Sequence, residues 1–95
     1  PKLLAMAGAG GFPVVLAADV LYEDRDVEPL FRLAQRVVAP GGLLWLAEPG
    51  RRAAARFLEL ARAAGWGGPA ETWDGPWPDP LDARVRVTVH RLRRP

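Results

Sequence analysis

The chain has no cysteine, a single histidine, one methionine and one tyrosine among its 95 residues. Without cysteine there is no disulfide, and no thiolate to serve as nucleophile or metal ligand. One histidine, His90, leaves too little for a zinc site or a Ser-His-Asp triad, so no metal is expected. Net charge is small as well, at +2, which gives no ground for a nucleic-acid partner. The uncharged run from Leu3 to Ala18 is interrupted by Gly8, Gly10, Gly11 and Pro13. It makes a poor lipid-spanning helix or signal sequence, so a cytoplasmic protein without a membrane partner is expected.

What remains is an ordinary globular composition, 49% apolar and 25% charged, enough for one small domain or part of a larger one. The charge is uneven: four basic and six acidic residues up to Glu48, then nine basic and five acidic. Nearly all the basic residues are arginine, which reads as compositional bias and carries no mechanism.

Residues 1–12 read as a flexible lead-in. Their Gly-Ala-Gly-Gly lacks the preceding strand and following helix that a phosphate-cradling loop needs. Pro13 to Ala18 reads as a strand, and its lack of polar alternation suits a parallel strand covered on both faces. Asp26 reads as the N-cap of a helix with Glu28 and Pro29 in its first turn. Val27, Leu30, Phe31, Ala34, Val37 and Val38 form its apolar stripe. Ala39-Pro40-Gly41-Gly42 should stop that helix and turn the chain. A second strand follows at Leu43 to Ala47, closed by Glu48-Pro49-Gly50. A second helix runs from Arg51 or Arg52 to Ala64, with Ala54, Phe57, Leu58 and Ala61 inward and Gly65 after its end. A short strand at Ala70 to Trp73 and a Pro/Asp/Gly/Trp loop precede a last strand, Arg84 to Leu92. In that strand Val85, Val87 and Val89 alternate with Arg84, Arg86, Thr88 and His90. Trp45, Trp66 and Trp73 read as core or near-core, and the arginines of the last strand as a solvated face. The fold class is α/β: three parallel strands joined by crossover helices, then an antiparallel strand.

This order, with Asp19-Val20-Leu21-Tyr22 after the first strand and Ala39 to Leu44 (APGGLL) before the second, resembles the C-terminal half of a class I, seven-strand S-adenosylmethionine-dependent methyltransferase. There the fourth strand is followed by helix, fifth strand, helix, sixth strand and an antiparallel seventh. ADVLYED at 18–24 and EPGR at 48–51 look most like the electron-transfer-flavoprotein β-subunit lysine methyltransferase group, although that group more often has Asp where Glu48 stands. The likeness covers Phe12 to Leu92.

The resemblance implies that residues 13–95 are the C-terminal half of a Rossmann-like sheet. The glycine-rich turn and the ribose-binding acid would belong to a preceding half. This chain alone is then expected to be inactive, with the missing half or a second copy covering the bare strand edge. Ligands of open α/β sheets bind beyond the carboxyl ends of the strands, so Asp19 to Tyr22 and Glu48 to Arg51 should share one rim. By the resemblance, Ala18 would touch S-adenosylmethionine through its backbone. Asp19 would hold and orient a substrate lysine amine, and Tyr22 would hydrogen-bond it or wall its channel. Glu23, Asp24 and Glu48 would draw a basic side chain, and Arg51 and Trp77 would sit on the substrate side. The plainer readings are a turn residue for Asp19, packing for Tyr22, a helix entry for Glu48 to Arg51 and a Trp-Pro cluster for Trp77. Protein lysine is the expected acceptor; a small-molecule amine or a noncatalytic, self-associating half-domain are the alternatives.

Overall fold

The computed structural model describes residues 10–18, 21, 23–75 and 86–95. Its elements are β1 (Phe12–Ala18), a 3-10 turn (Asp24–Asp26), α1 (Val27–Val37), β2 (Val38–Glu48), α2 (Arg52–Ala63), β3 (Ala70–Asp74) and β4 (Arg86–Arg93). The fold is mixed α/β, with one sheet in the order β1-β2-β4-β3. β1 and β2 are parallel, and β4 is antiparallel to both of its neighbours. β1, β2 and β3 therefore run in one direction, and β4 enters between β2 and β3.

The helices form where apolar residues recur every three or four positions. In α1 the buried residues are Val27, Phe31, Ala34 and Val37; in α2 they are Ala53, Ala54, Phe57, Leu58 and Ala61. Both stripes pack with Leu44, Leu46, Trp66 and Leu92 into one core. Phe31 meets Phe57 and Trp66 edge-on, with ring centroids 5.9 and 5.7 Å away, a favoured aromatic geometry. Gly65, just past α2, takes φ 89°, the left-handed conformation that ends many helices.

Four expectations need correction. Asp26 holds the N-cap position of α1, as expected, but without the side-chain cap: its backbone is already helical, and its carboxylate accepts from the Glu23 N–H at 3.0 Å. The chain enters the helix one turn earlier, through the 3-10 turn. Ala39 to Gly42 do not precede the second strand but belong to β2. They leave the ladder, since Phe12 pairs with Val38 and Val14 already pairs with Leu43. The C-terminal end of the chain supplies their partners: Arg94 N–H donates to Gly42 O at 2.9 Å, and Gly41 N–H donates to Arg94 O at 3.1 Å.

In β4 the inward side is the one with the polar look. His90 and Leu92 are buried, whereas Val87 and Val89 are only half-buried. Ladder partners share a face, and Leu44 opposite Leu92 and Leu46 opposite His90 put both on the helix-covered side. Trp73 is not core but 54% exposed. It lies on the edge strand β3 opposite Val87, on the sheet face away from the helices. That same face carries Val14, 47% exposed, and Leu16, 74% exposed, both on the other edge strand. No described helix is long and apolar enough to cross a membrane.

Candidate functional site

The two parallel strands end together. Ala18 and Ala47 are the last register partners, so Ala18 and the next residue on β2, Glu48, reach the same rim. Pro49 and Gly50 follow, and Arg51 occupies the N-cap position of α2 with extended backbone, φ −75° and ψ 152°. Its carbonyl accepts from Ala54 N–H at 3.1 Å. Ala18 is exposed and Arg51 half-buried. Asp19, Tyr22 and Trp77 lie outside the described residues. Glu23 is exposed and pairs with Arg25 at 2.8 Å, while Asp24 faces Arg56 at 3.2 Å and Arg52 at 4.0 Å. Part of the acidic run's field is thus cancelled by nearby arginines, and such exposed pairs are screened by salt.

Glu48 behaves differently. It is 9% exposed, beside His90 at 8%. One carboxylate oxygen, Oε1, lies 3.1 Å from His90 Nε2; the other, Oε2, accepts the Gly50 N–H. His90 is the ladder partner of Leu46, and Glu48 the partner of Thr88, so the pair meets on the diagonal of the β2–β4 ladder. Sequence reading left His90 without a role. Its only local signal is that it shares a strand face with Leu92; its neighbour Glu48 is fixed by β4 lying beside β2.

Among the described residues, no group of three or more His, Asp or Glu stands where it would hold a metal ion. A groove lined by Asp24, Val27, Glu28, Arg32, Arg56 and Leu60 is built from helix surfaces rather than strand ends. Arg25 and Glu59 line it as well. Arg32 pairs with Glu28 at 3.4 Å, Arg56 with Asp24 at 3.2 Å and Arg25 with Glu23 at 2.8 Å, so most of its charge is paired and it lacks the convergent unpaired groups of a reaction site.

The arginines of the last strand and tail have acceptors within the chain. Arg86 meets Asp74 at 2.6 Å and Arg91 meets Glu71 at 3.0 Å. Arg93 donates to Gly41 O and Arg94 to Val38 O, each at 2.6 Å. They tie the end of the chain to the start of β2.

No protein-family model matches the chain, and comparison with curated proteins finds no relative.

Proposed function

We propose that this chain is the C-terminal half of an S-adenosylmethionine-dependent methyltransferase domain whose acceptor is a protein lysine amine. The observation that carries the reading is the parallel β1–β2 pair, which ends at Ala18 and Ala47 and delivers Glu48 to the same rim. Support also comes from the strand directions, three alike and an antiparallel fourth, and from the outer edge of β1, which no described strand pairs. That edge is uncharged from Phe12 to Ala18, which makes it a ready template for another strand.

The described residues fit the cofactor only in part. Ala18 is exposed at the tip of an edge strand, where its backbone can meet a ligand, but no described residue offers an acid for ribose hydroxyls beside it. The preceding half of the domain would supply that pocket and cover the β1 edge. S-adenosylmethionine, once bound, supplies an electrophilic methyl group. The chain's own task is to present a neutral amine: Asp19 holds the lysine nitrogen and orients its lone pair as the proton leaves, and Tyr22 walls the approach. Glu23 and Arg51 border the acceptor's path.

Calorimetry with S-adenosylmethionine tests the reading. This chain alone should bind little, and a protein carrying the preceding half should bind it. In that longer protein Asp19→Asn should lower methyl transfer from a labelled donor to a host lysate about a hundredfold, the low end for a positioned general base. Unchanged turnover would remove Asp19 from the mechanism; label on small molecules alone would replace the protein acceptor. Failure of the longer protein to bind the cofactor would leave a noncatalytic half-domain.

A further inference from the structure

That chemistry gives His90 no part, yet its buried pair with Glu48 sits at the turn leading from the rim into α2. A carboxylate only accepts hydrogen bonds, so His90 Nε2 carries the hydrogen and donates to Oε1, while Gly50 N–H donates to Oε2. Gly50 has φ 93° with open space where a Cβ would stand. Crowding does not impose its left-handed backbone. The bond from its own N–H to Glu48 is the constraint the structure shows.

Glu48 in turn is held by a residue fixed in a ladder, since His90 is paired in β4 opposite Leu46. The restraint runs from β4 through His90 to Glu48, then through the Gly50 amide to Arg51 and the first turn of α2. Without the imidazole, the Glu48 side chain keeps its bond to Gly50 but loses what stops it rotating toward solvent. A buried acceptor stripped of a donor favours such a move.

We infer that His90 is a positioning residue for the rim turn Pro49-Gly50-Arg51, acting through Glu48 rather than touching any ligand. The inference rests on the methyltransferase reading only for its kinetic consequence; the turn itself can be tested without it. Glutamine's side-chain nitrogen reaches about as far as His Nε2, whereas asparagine's falls short. His90→Gln should therefore keep the restraint, and His90→Asn and His90→Leu should lose it.

The test is amide exchange by NMR on this chain. Gly50 N–H should exchange at least about tenfold faster in His90→Asn and His90→Leu than in wild type, as expected for losing roughly one hydrogen bond's worth of protection. His90→Gln should stay near the wild-type rate. Should His90→Leu fail to fold, the comparison of His90→Gln with His90→Asn decides. Equal Gly50 exchange in wild type and His90→Asn overturns the inference.

In the longer protein, with polylysine as acceptor probe, His90→Asn should raise KM about tenfold and leave S-adenosylmethionine affinity within about twofold. A wild type that binds the cofactor and an unmoved KM would confine His90 to structure and overturn the positioning role. No cofactor binding by wild type would instead sink the methyltransferase reading, and amide exchange would still decide the turn.

Discussion

The guanidinium of Arg91 lies over the ring of Trp45, 4.8 Å from its centroid, and the two residues are ladder partners on the sheet face opposite the helices. The contact is favourable, at about 0.5–1 kcal/mol for a partly exposed cation–π pair. It also leaves Trp45 Nε1 and Arg91 Nε covered without an acceptor, which works against it. Arg91→Ala is therefore expected to cost no more than about 1 kcal/mol in urea denaturation. A loss of several kcal/mol would show that Arg91 anchors the sheet, contrary to this account.

Aromatic residues separate the two faces further. Phe57 is fully buried and Trp73 is 54% exposed. Phe57→Ala should destabilise by roughly 3–5 kcal/mol, the range for deleting a core ring, and removes the edge contact with Phe31 as well. Trp73→Ala should cost less, about 1–2 kcal/mol, since roughly half of its surface stays in water. Comparable losses in the two variants, read as shifts of the urea midpoint at constant slope, would mean that the open face is covered in solution.

Adjacent glycines give a backbone test. A Cβ at Gly42 would stand 2.8 Å from Ala39 O and 3.0 Å from Pro13 O, whereas Gly41, at φ 74°, has open space around it. Gly41→Ala should cost about 1–2 kcal/mol for the left-handed conformation alone. Gly42→Ala should cost about 1–3 kcal/mol by overpacking and should disturb the β1–β2 register, because its obstacle is backbone that cannot swing aside. New amide chemical shifts along Phe12 to Val15 in Gly42→Ala, and their absence in Gly41→Ala, would confirm the difference.

The helices were legible because their signal is local: Val27, Phe31, Ala34 and Val37 define one stripe within eleven consecutive residues. The strands at Pro13 to Ala18 and Leu43 to Ala47 were legible as apolar runs, short of the observed starts at Phe12 and Val38. The sidedness of β4 was not, because alternation gives two faces without saying which one meets the helices. His90 looked like a solvated residue until β2 lay beside it and Glu48 met it from 42 positions away. Trp73 misled in the opposite sense: a large aromatic usually seeks the core, but an edge strand and the uncovered face of the sheet leave it in water. That the ends of β1 and β2 share a rim followed from parallel strands ending on one side; a cofactor contact at Ala18 was implied by the resemblance alone.

Leu16 is the most informative position for the proposed architecture. It is 74% exposed on β1, a strand paired on one side only among the described residues. Exposed, uncharged edge strands pair with other chains, and a lysine there blocks such pairing. In this chain Leu16→Lys should leave the urea midpoint nearly unchanged and reduce self-association measured by light scattering. In a protein carrying the preceding half, the same side chain would be covered by the added polypeptide. There the substitution should cost roughly 2 kcal/mol or more, the loss of a buried leucine with a charge brought toward the interior. The contrast makes the comparison decisive: a neutral Leu16→Lys in the longer protein would mean that nothing packs over β1, and the half-domain architecture would fall with it.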